Sequence, residues 1–208
     1  LPRGGLLFLG VNYLAHIYLS GDDEDVMLGN FMADSVKGKS YNNYPNGIKN
    51  GILLHRFIDD FTDSHPICLE TKLLLRPRYH KLSPILSDMI YDHLLAVHWA
   101  EYSQEPLRSF VNRAYTLLEA RSAELTPRAQ MMLPYMVKYD WLYNYQFEEG
   151  MKSVLHGMSR RVKEGAILLH GWDEIEEHRA VFENQFERFF SELIVACEHK
   201  RKALQLED

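Results

Sequence analysis

Cysteine is scarce: only Cys68 and Cys197 occur in 208 residues. They form no Cys-x-x-Cys pair, which excludes a disulfide framework or a cysteine-based zinc knuckle and fits a reducing compartment. No apolar run nears the roughly 20 residues that span a bilayer. The longest near the start, residues 6–11, also lacks a small-residue cleavage site and reads as neither signal nor anchor. A cytoplasmic location is therefore expected. A basic excess is missing too. The net charge of -6 speaks against general binding to nucleic acid or to an anionic membrane. Several catalytic templates are absent: no G-x-S-x-G, Walker A loop, GxGxxG or HExxH occurs. Neither cysteine has an activating neighbour, so thiol catalysis finds no support. No alternating strand pattern, internal repeat or low-complexity tract appears.

What remains is a composition of 46% hydrophobic and 25% charged residues, ordinary for a globular chain with one sizeable core. Residues 1–11, beginning with Leu1-Pro2-Arg3-Gly4-Gly5, read as a leader or start-site extension, and residues 12–208 as a single helical domain. Helical periodicity dominates. It predicts a short helix over 12–19 and a second from Asp22/Asp23 to Gly38. A loop over 39–47 and a third helix over 48–64, stopped by Pro66, follow. Ser83-Pro84 predicts an N-cap for an apolar helix running to 102, and Thr126-Pro127 repeats the pattern. A last helix is expected over 173–202, acidic at its start and basic at its end. The fold class is all-α, a compact multi-helix domain.

The third helix carries the first chemical pattern. His55, Asp59, Thr62 and Asp63 share one face, while Leu54, Phe57, Ile58 and Phe61 share the other. A solvated polar face and a metal site both fit this helix alone. Two acids one turn apart need a countercharge, and histidine beside carboxylates suits a divalent transition metal. On the apolar helix after Pro84, Asp88 and Asp92 occupy one stripe with Ile85, Leu95 and Trp99. Buried carboxylates there must be paired or metal-bound. An ion pair to Arg56 or Arg78 is the alternative, and for Asp88 both readings stay open. His93 follows Asp92 directly, whereas His98 reads as structural or surface. Asn30 and Asp34, at i and i+4, repeat the theme on the second helix, where Lys37 or a metal would offset Asp34. His16, among Leu14, Ile17 and Leu19, reads from spacing alone as a core histidine.

Four separated motifs then carry a resemblance. They are Asn12-Tyr13-Leu14-Ala15-His16; Gly29-Asn30-Phe31-Met32-Ala33-Asp34 with Lys37-Gly38; His55-Arg56-Phe57-Ile58-Asp59 through Pro66; and Asp88-x-x-x-Asp92-His93 with Trp99. In this order and over residues 12–190 the chain resembles the acyl carrier protein phosphodiesterases. The resemblance implies an architecture distantly like the HD-type phosphohydrolases. It also implies removal of 4'-phosphopantetheine from a serine of holo acyl carrier protein, with manganese or a similar divalent ion (magnesium, iron or cobalt). Carried over by position, the metal-ligand candidates are Asp34, His55, Asp59, Asp92 and His93, with His16 raised from core residue to candidate. Met158 and Arg161 match a weaker downstream element.

The expected chemistry is metal-assisted hydrolysis, with Asp63 or Asp88 orienting the water and Lys37, Arg56 or Arg161 offsetting phosphate charge. An acidic carrier protein calls for a basic docking patch. Arg76, Arg78, His80 and Lys81 form one candidate, and Arg160, Arg161 and Lys163 another. Two alternatives accompany this reading: an HD-like phosphohydrolase of a nucleotide or other small phosphoester, and a non-catalytic helical protein that binds carrier proteins.

Overall fold

The computed structural model describes residues 12–206, so the leader expected over residues 1–11 lies outside the described residues. Among the described residues the chain is built from α-helices and short 3-10 turns, without a strand, and the all-α expectation holds. Helix α1 (Tyr13–Leu19) is buried almost all round. After the Gly21 turn, Asp23 opens α2 (Glu24–Met32) by accepting from the amides of Asp25 and Val26, an ordinary carboxylate N-cap. The expected run to Gly38 ends early. The chain tightens into a 3-10 turn at Ala33–Ser35 and leaves it extended at Val36, where the Arg56 guanidinium donates to the Val36 carbonyl at 2.7 Å.

Helix α3 (Asn46–Ser64) crosses α2 at backbone contact. A Cβ on Gly29 would run into the Ile48 carbonyl, and one on Gly51 into the Val26 carbonyl. Only glycine permits that approach. The polar face of α3 is only partly solvated: His55 and Thr62 are buried, whereas Asp63 is exposed.

A helix that periodicity does not announce follows, α4 (Pro66–Tyr79), with Pro66 in its first turn and Pro77 near its end. Helix α5 (Ser83–Val97) begins at Ser83 itself, so the expected Ser83 cap is not formed; the serine hydroxyl instead donates to the His80 carbonyl. The helix expected to reach residue 102 breaks at His98 and resumes as α6 (Trp99–Tyr102). Helices α7 (Leu107–Ala120), α8 (Pro127–Lys138), α9 (Trp141–Asn144) and α10 (Glu148–Ser159) follow, and Thr126 caps α8 as expected. The last expected helix is two, α11 (Gly171–Glu177) and α12 (Arg179–Leu206), divided at His178. Phe182, Phe186, Phe189 and Phe190 of α12 are fully buried in the core. No helix among the described residues is long and apolar enough to cross a membrane.

Candidate metal centre

The α2–α3 crossing brings Asn30 against His55, and α1 lays His16 over both. Asn30 is fully buried and uses every polar atom of its amide. Its Nδ2 donates to the His16 carbonyl at 2.8 Å and to the Ser20 hydroxyl at 3.0 Å. Its Oδ1 therefore faces the two imidazoles, 2.8 Å from His16 Nδ1 and 3.0 Å from His55 Nδ1. A carbonyl oxygen can only accept, so both Nδ1 atoms carry the proton. Both Nε2 atoms then project a lone pair on the far side. The rings stack at 4.0 Å, which keeps those lone pairs side by side.

What the lone pairs face is acidic. His16 Nε2 lies 3.3 Å from Asp59 Oδ1, and His55 Nε2 lies 3.3 Å from both Asp59 Oδ2 and Asp34 Oδ1. Asp59 is one helical turn after His55, and Asp34 comes from the 3-10 turn after α2. Lone pair against carboxylate is repulsive unless a proton or a cation lies between. A proton serves at His55: burial works to lower its pKa, but Asp34 and Asp59 outweigh burial and raise it to about 9. Burial and the neighbouring His55 lower that of His16, so this imidazole stays neutral. Burial favours the protonated acid at Asp59, yet the two histidines hold its carboxyl far below the usual range; His55 likewise lowers Asp34 against burial.

The donor set fits a divalent transition metal. His16 Nε2 is buried without an aligned hydrogen-bond partner. Ligand atoms from His16, His55 and Asp59 all lie within 4.8 Å of one another. Two imidazoles with a carboxylate, once His55 gives up its second proton, suit manganese, iron, cobalt or zinc better than magnesium, which prefers oxygen. Asn30 supplies the outer hydrogen bonds that orient such histidines.

A cleft of about 230 Å³ opens beside this cluster, lined by Asp34, His55, Asp59, Asp63 and Asp88 among others. Asp88, on α5, is partly buried. Burial, together with the charges of Asp59, Asp63 and Asp34, raises its pKa to about 7, with Lys72 opposing. Asp63 is exposed and accepts from the Lys72 ammonium at 2.7 Å.

Asp92 and His93 lie elsewhere. Asp92 is fully buried, and its two oxygens accept from the amides of Leu14 and Ala15 at 2.9 Å each. It thus answers the N-terminus of α1, where a negative charge is stabilised. Two backbone amides, in place of the foreseen arginine, meet it. Burial pushes its pKa well above the carboxylate range, with the two amides pulling the other way. His93 is buried with Nδ1 2.7 Å from the Tyr145 carbonyl and its ring edge-on to Trp172; it does not join the His16–His55–Asp59 cluster.

The basic candidates are dispersed. Arg56 holds Val36 and lies over the Tyr41 ring at 5.0 Å. Lys37 is exposed just past the turn that carries Asp34. Arg78 pairs with Glu174 and Lys81 with Glu164, each at 3.1 Å. Arg160 is exposed at the end of α10, and Arg161 lies over Trp141 at 5.8 Å. Asn30 is the residue that spacing missed. Its polar character on a packing face was visible, but its grip on two histidines from two other helices, α1 and α3, exists only in the folded chain.

A family model described as acyl carrier protein phosphodiesterase matches residues 11–193. The chain belongs to that family. It is 32% identical over 192 residues to an acyl carrier protein phosphodiesterase of Enterobacter sp. (strain 638), covering 92% of this chain and all of that relative. The protein of the same description from Klebsiella pneumoniae (strain 342) is 33% identical over the same coverage. That from Pectobacterium atrosepticum is 33% identical over 185 residues, 88% of this chain and 96% of the relative. No solved structure matches the chain.

Proposed function

We propose that this protein hydrolyses the phosphodiester joining 4'-phosphopantetheine to a serine of holo acyl carrier protein, using a divalent cation held by His16, His55 and Asp59 with Asp34 beside them. The observation that carries this reading is the pair of Asn30-bound imidazoles that aim two Nε2 lone pairs at one carboxylate. The names of the family and of its curated relatives support the substrate.

A divalent ion bound there supplies Lewis acidity, making water acidic enough to attack near neutral pH and drawing charge from a phosphoryl oxygen. The chain's own residues do the rest. Asp88, with a pKa of about 7 and a place in the cleft wall, is poised to exchange a proton at neutral pH, which general acid–base catalysis requires. As a carboxylate it takes the proton of the attacking water. As an acid it delivers one to the departing serine oxygen. The new P–O bond forms from water, the bond to serine breaks, and phosphopantetheine leaves with its phosphate. Asp63 is engaged by Lys72, so Asp88 is the better placed of the two acids. Arg56 orders the loop that carries Asp34 and Lys37, leaving Lys37 and Arg161 to offset phosphate charge.

The test is incubation of the full chain with holo carrier protein and Mn²⁺, followed by intact-mass measurement. Conversion to the apo protein, abolished by chelator and by His16→Ala, is expected. Cleavage of small phosphodiesters without any apo carrier protein would overturn the substrate. A protein that binds holo carrier protein but neither retains nor takes up a divalent ion would overturn the chemistry in favour of a binding module.

A further inference from the structure

In a chain of net charge -6, helix α8 contains Arg128 and Lys138 and no acid. Its inner side buries Ala129, Met132, Leu133 and Met136. Its outer side presents Met131, Tyr135 and Tyr139 at 53, 58 and 55% exposure. These three recur at i, i+4 and i+8, so with Lys138 they form one continuous face, and the Lys138 ammonium stands over the Tyr139 ring at 5.2 Å. Large side chains kept this exposed in a row mark a contact surface more often than scattered apolar residues do.

The helix behind this face packs against the element that leads into the candidate site. Helix α8 packs on α2, the helix that carries Asn30 and leads into Asp34. At the start of α8, the Arg128 charge acts on the hydroxyl of Tyr13, as do those of Asp34 and Arg161; Tyr13 is one turn before His16. A partner lying along α8 would have one end toward α2 and Tyr13.

We propose that the Met131–Tyr135–Lys138–Tyr139 face of α8 docks the acidic surface of the carrier protein while the phosphopantetheine arm enters the cleft. The proposal rests on the function proposed above. Charge complementarity selects the occupant: a cationic, acid-free helix with tyrosines suits an acidic partner and a tight, partly apolar contact. The patch expected at Arg76–Lys81 is less suited, because Glu174 and Glu164 already answer Arg78 and Lys81.

Tyr135→Glu and Lys138→Glu in the full chain provide the test, with circular dichroism and Mn²⁺ binding as checks on the fold. Each variant should raise KM for holo carrier protein at least about tenfold, with kcat and the cleavage of a small phosphodiester unchanged. The double variant should also flatten the salt dependence of KM. Unchanged KM in both variants would overturn the proposal, as would a rise in KM confined to Arg76→Glu and Lys81→Glu. A wild-type dimer that Tyr135→Glu converts to monomer would give the face to a second copy and also overturn it. If the wild type cleaves no holo carrier protein, the function above fails separately. Fluorescence anisotropy with labelled apo carrier protein then decides the docking: binding lost in Tyr135→Glu supports it, and no wild-type binding refutes it.

Discussion

Asn30 does two separable jobs, and substitution can pull them apart. Its oxygen fixes the tautomer of His16 and His55; its nitrogen ties α2 to the end of α1 through the His16 carbonyl and Ser20. Asn30→Ala removes all four hydrogen bonds at a fully buried position. At about 1 kcal/mol net for each, the loss of stability is about 4 kcal/mol, before any cost of leaving ring N–H groups without acceptors. Freed imidazoles no longer present Nε2 together, so Mn²⁺ affinity should fall about 10–100-fold, the range typical of outer-shell partners of metal-binding histidines. Asn30→Asp keeps an acceptor for both ring N–H groups but turns the two donors into a second oxygen facing the His16 carbonyl. It should therefore cost about 2 kcal/mol or more of stability while holding Mn²⁺ affinity within about threefold of wild type. Urea unfolding and Mn²⁺ titration of chelator-stripped protein measure the two quantities independently. A folded Asn30→Ala protein with wild-type Mn²⁺ affinity would refute the tautomer argument, and so would equal losses of affinity in both variants.

Asp88→Asn should lower kcat by about 10²–10⁴-fold and remove the ionisation near pH 7 from the pH–rate profile, with Mn²⁺ affinity kept; a retained profile would free Asp88 of any proton-transfer role. Asp92→Ala should destabilise the fold by about 3 kcal/mol, because two α1 amides lose their buried acceptor. A wild-type unfolding curve combined with lost Mn²⁺ would instead make Asp92 a ligand. His55 predicts a pH dependence for the chelator-treated protein. Its folded pKa of about 9 lies above the unfolded value of about 6.5, so its contribution is complete below about pH 6.5. That contribution, on the order of 3 kcal/mol, is lost as pH rises through about 9; denaturant midpoints that stay flat from pH 6 to about 10 would exclude the His55–carboxylate pairing. Over the same interval Mn²⁺ affinity should rise with pH, since His55 must release its proton to become a ligand.

The features that could be read from the chain are those with a local cause. Asp23 and Thr126-Pro127 open helices through bonds to amides two or three residues away, so their positions were legible. His55 and Asp59 were legible as a pair because one helical turn sets their distance. Helix ends were not, where tertiary contacts decide them. Helix α2 stops at Met32 in a turn whose continuation is held by Arg56 from α3, and α4 hides its period behind exposed Leu69 and Leu73 and an internal Pro77. His16 was opaque for a different reason. Its neighbours along the chain are as buried as it is, and partners from other helices, Asn30 and Asp59, distinguish it from a core histidine. Asp92 shows the same limit from the opposite side. A carboxylate on an apolar stripe announces that burial must be compensated, and a cation, an arginine or a helix N-terminus each compensates it. The three leave one identical pattern along α5. What separates them is where the first turn of α1 lies in space, and the amides of Leu14 and Ala15 place it on Asp92. An acid taken for a candidate ligand therefore holds in place the helix that carries another candidate, His16.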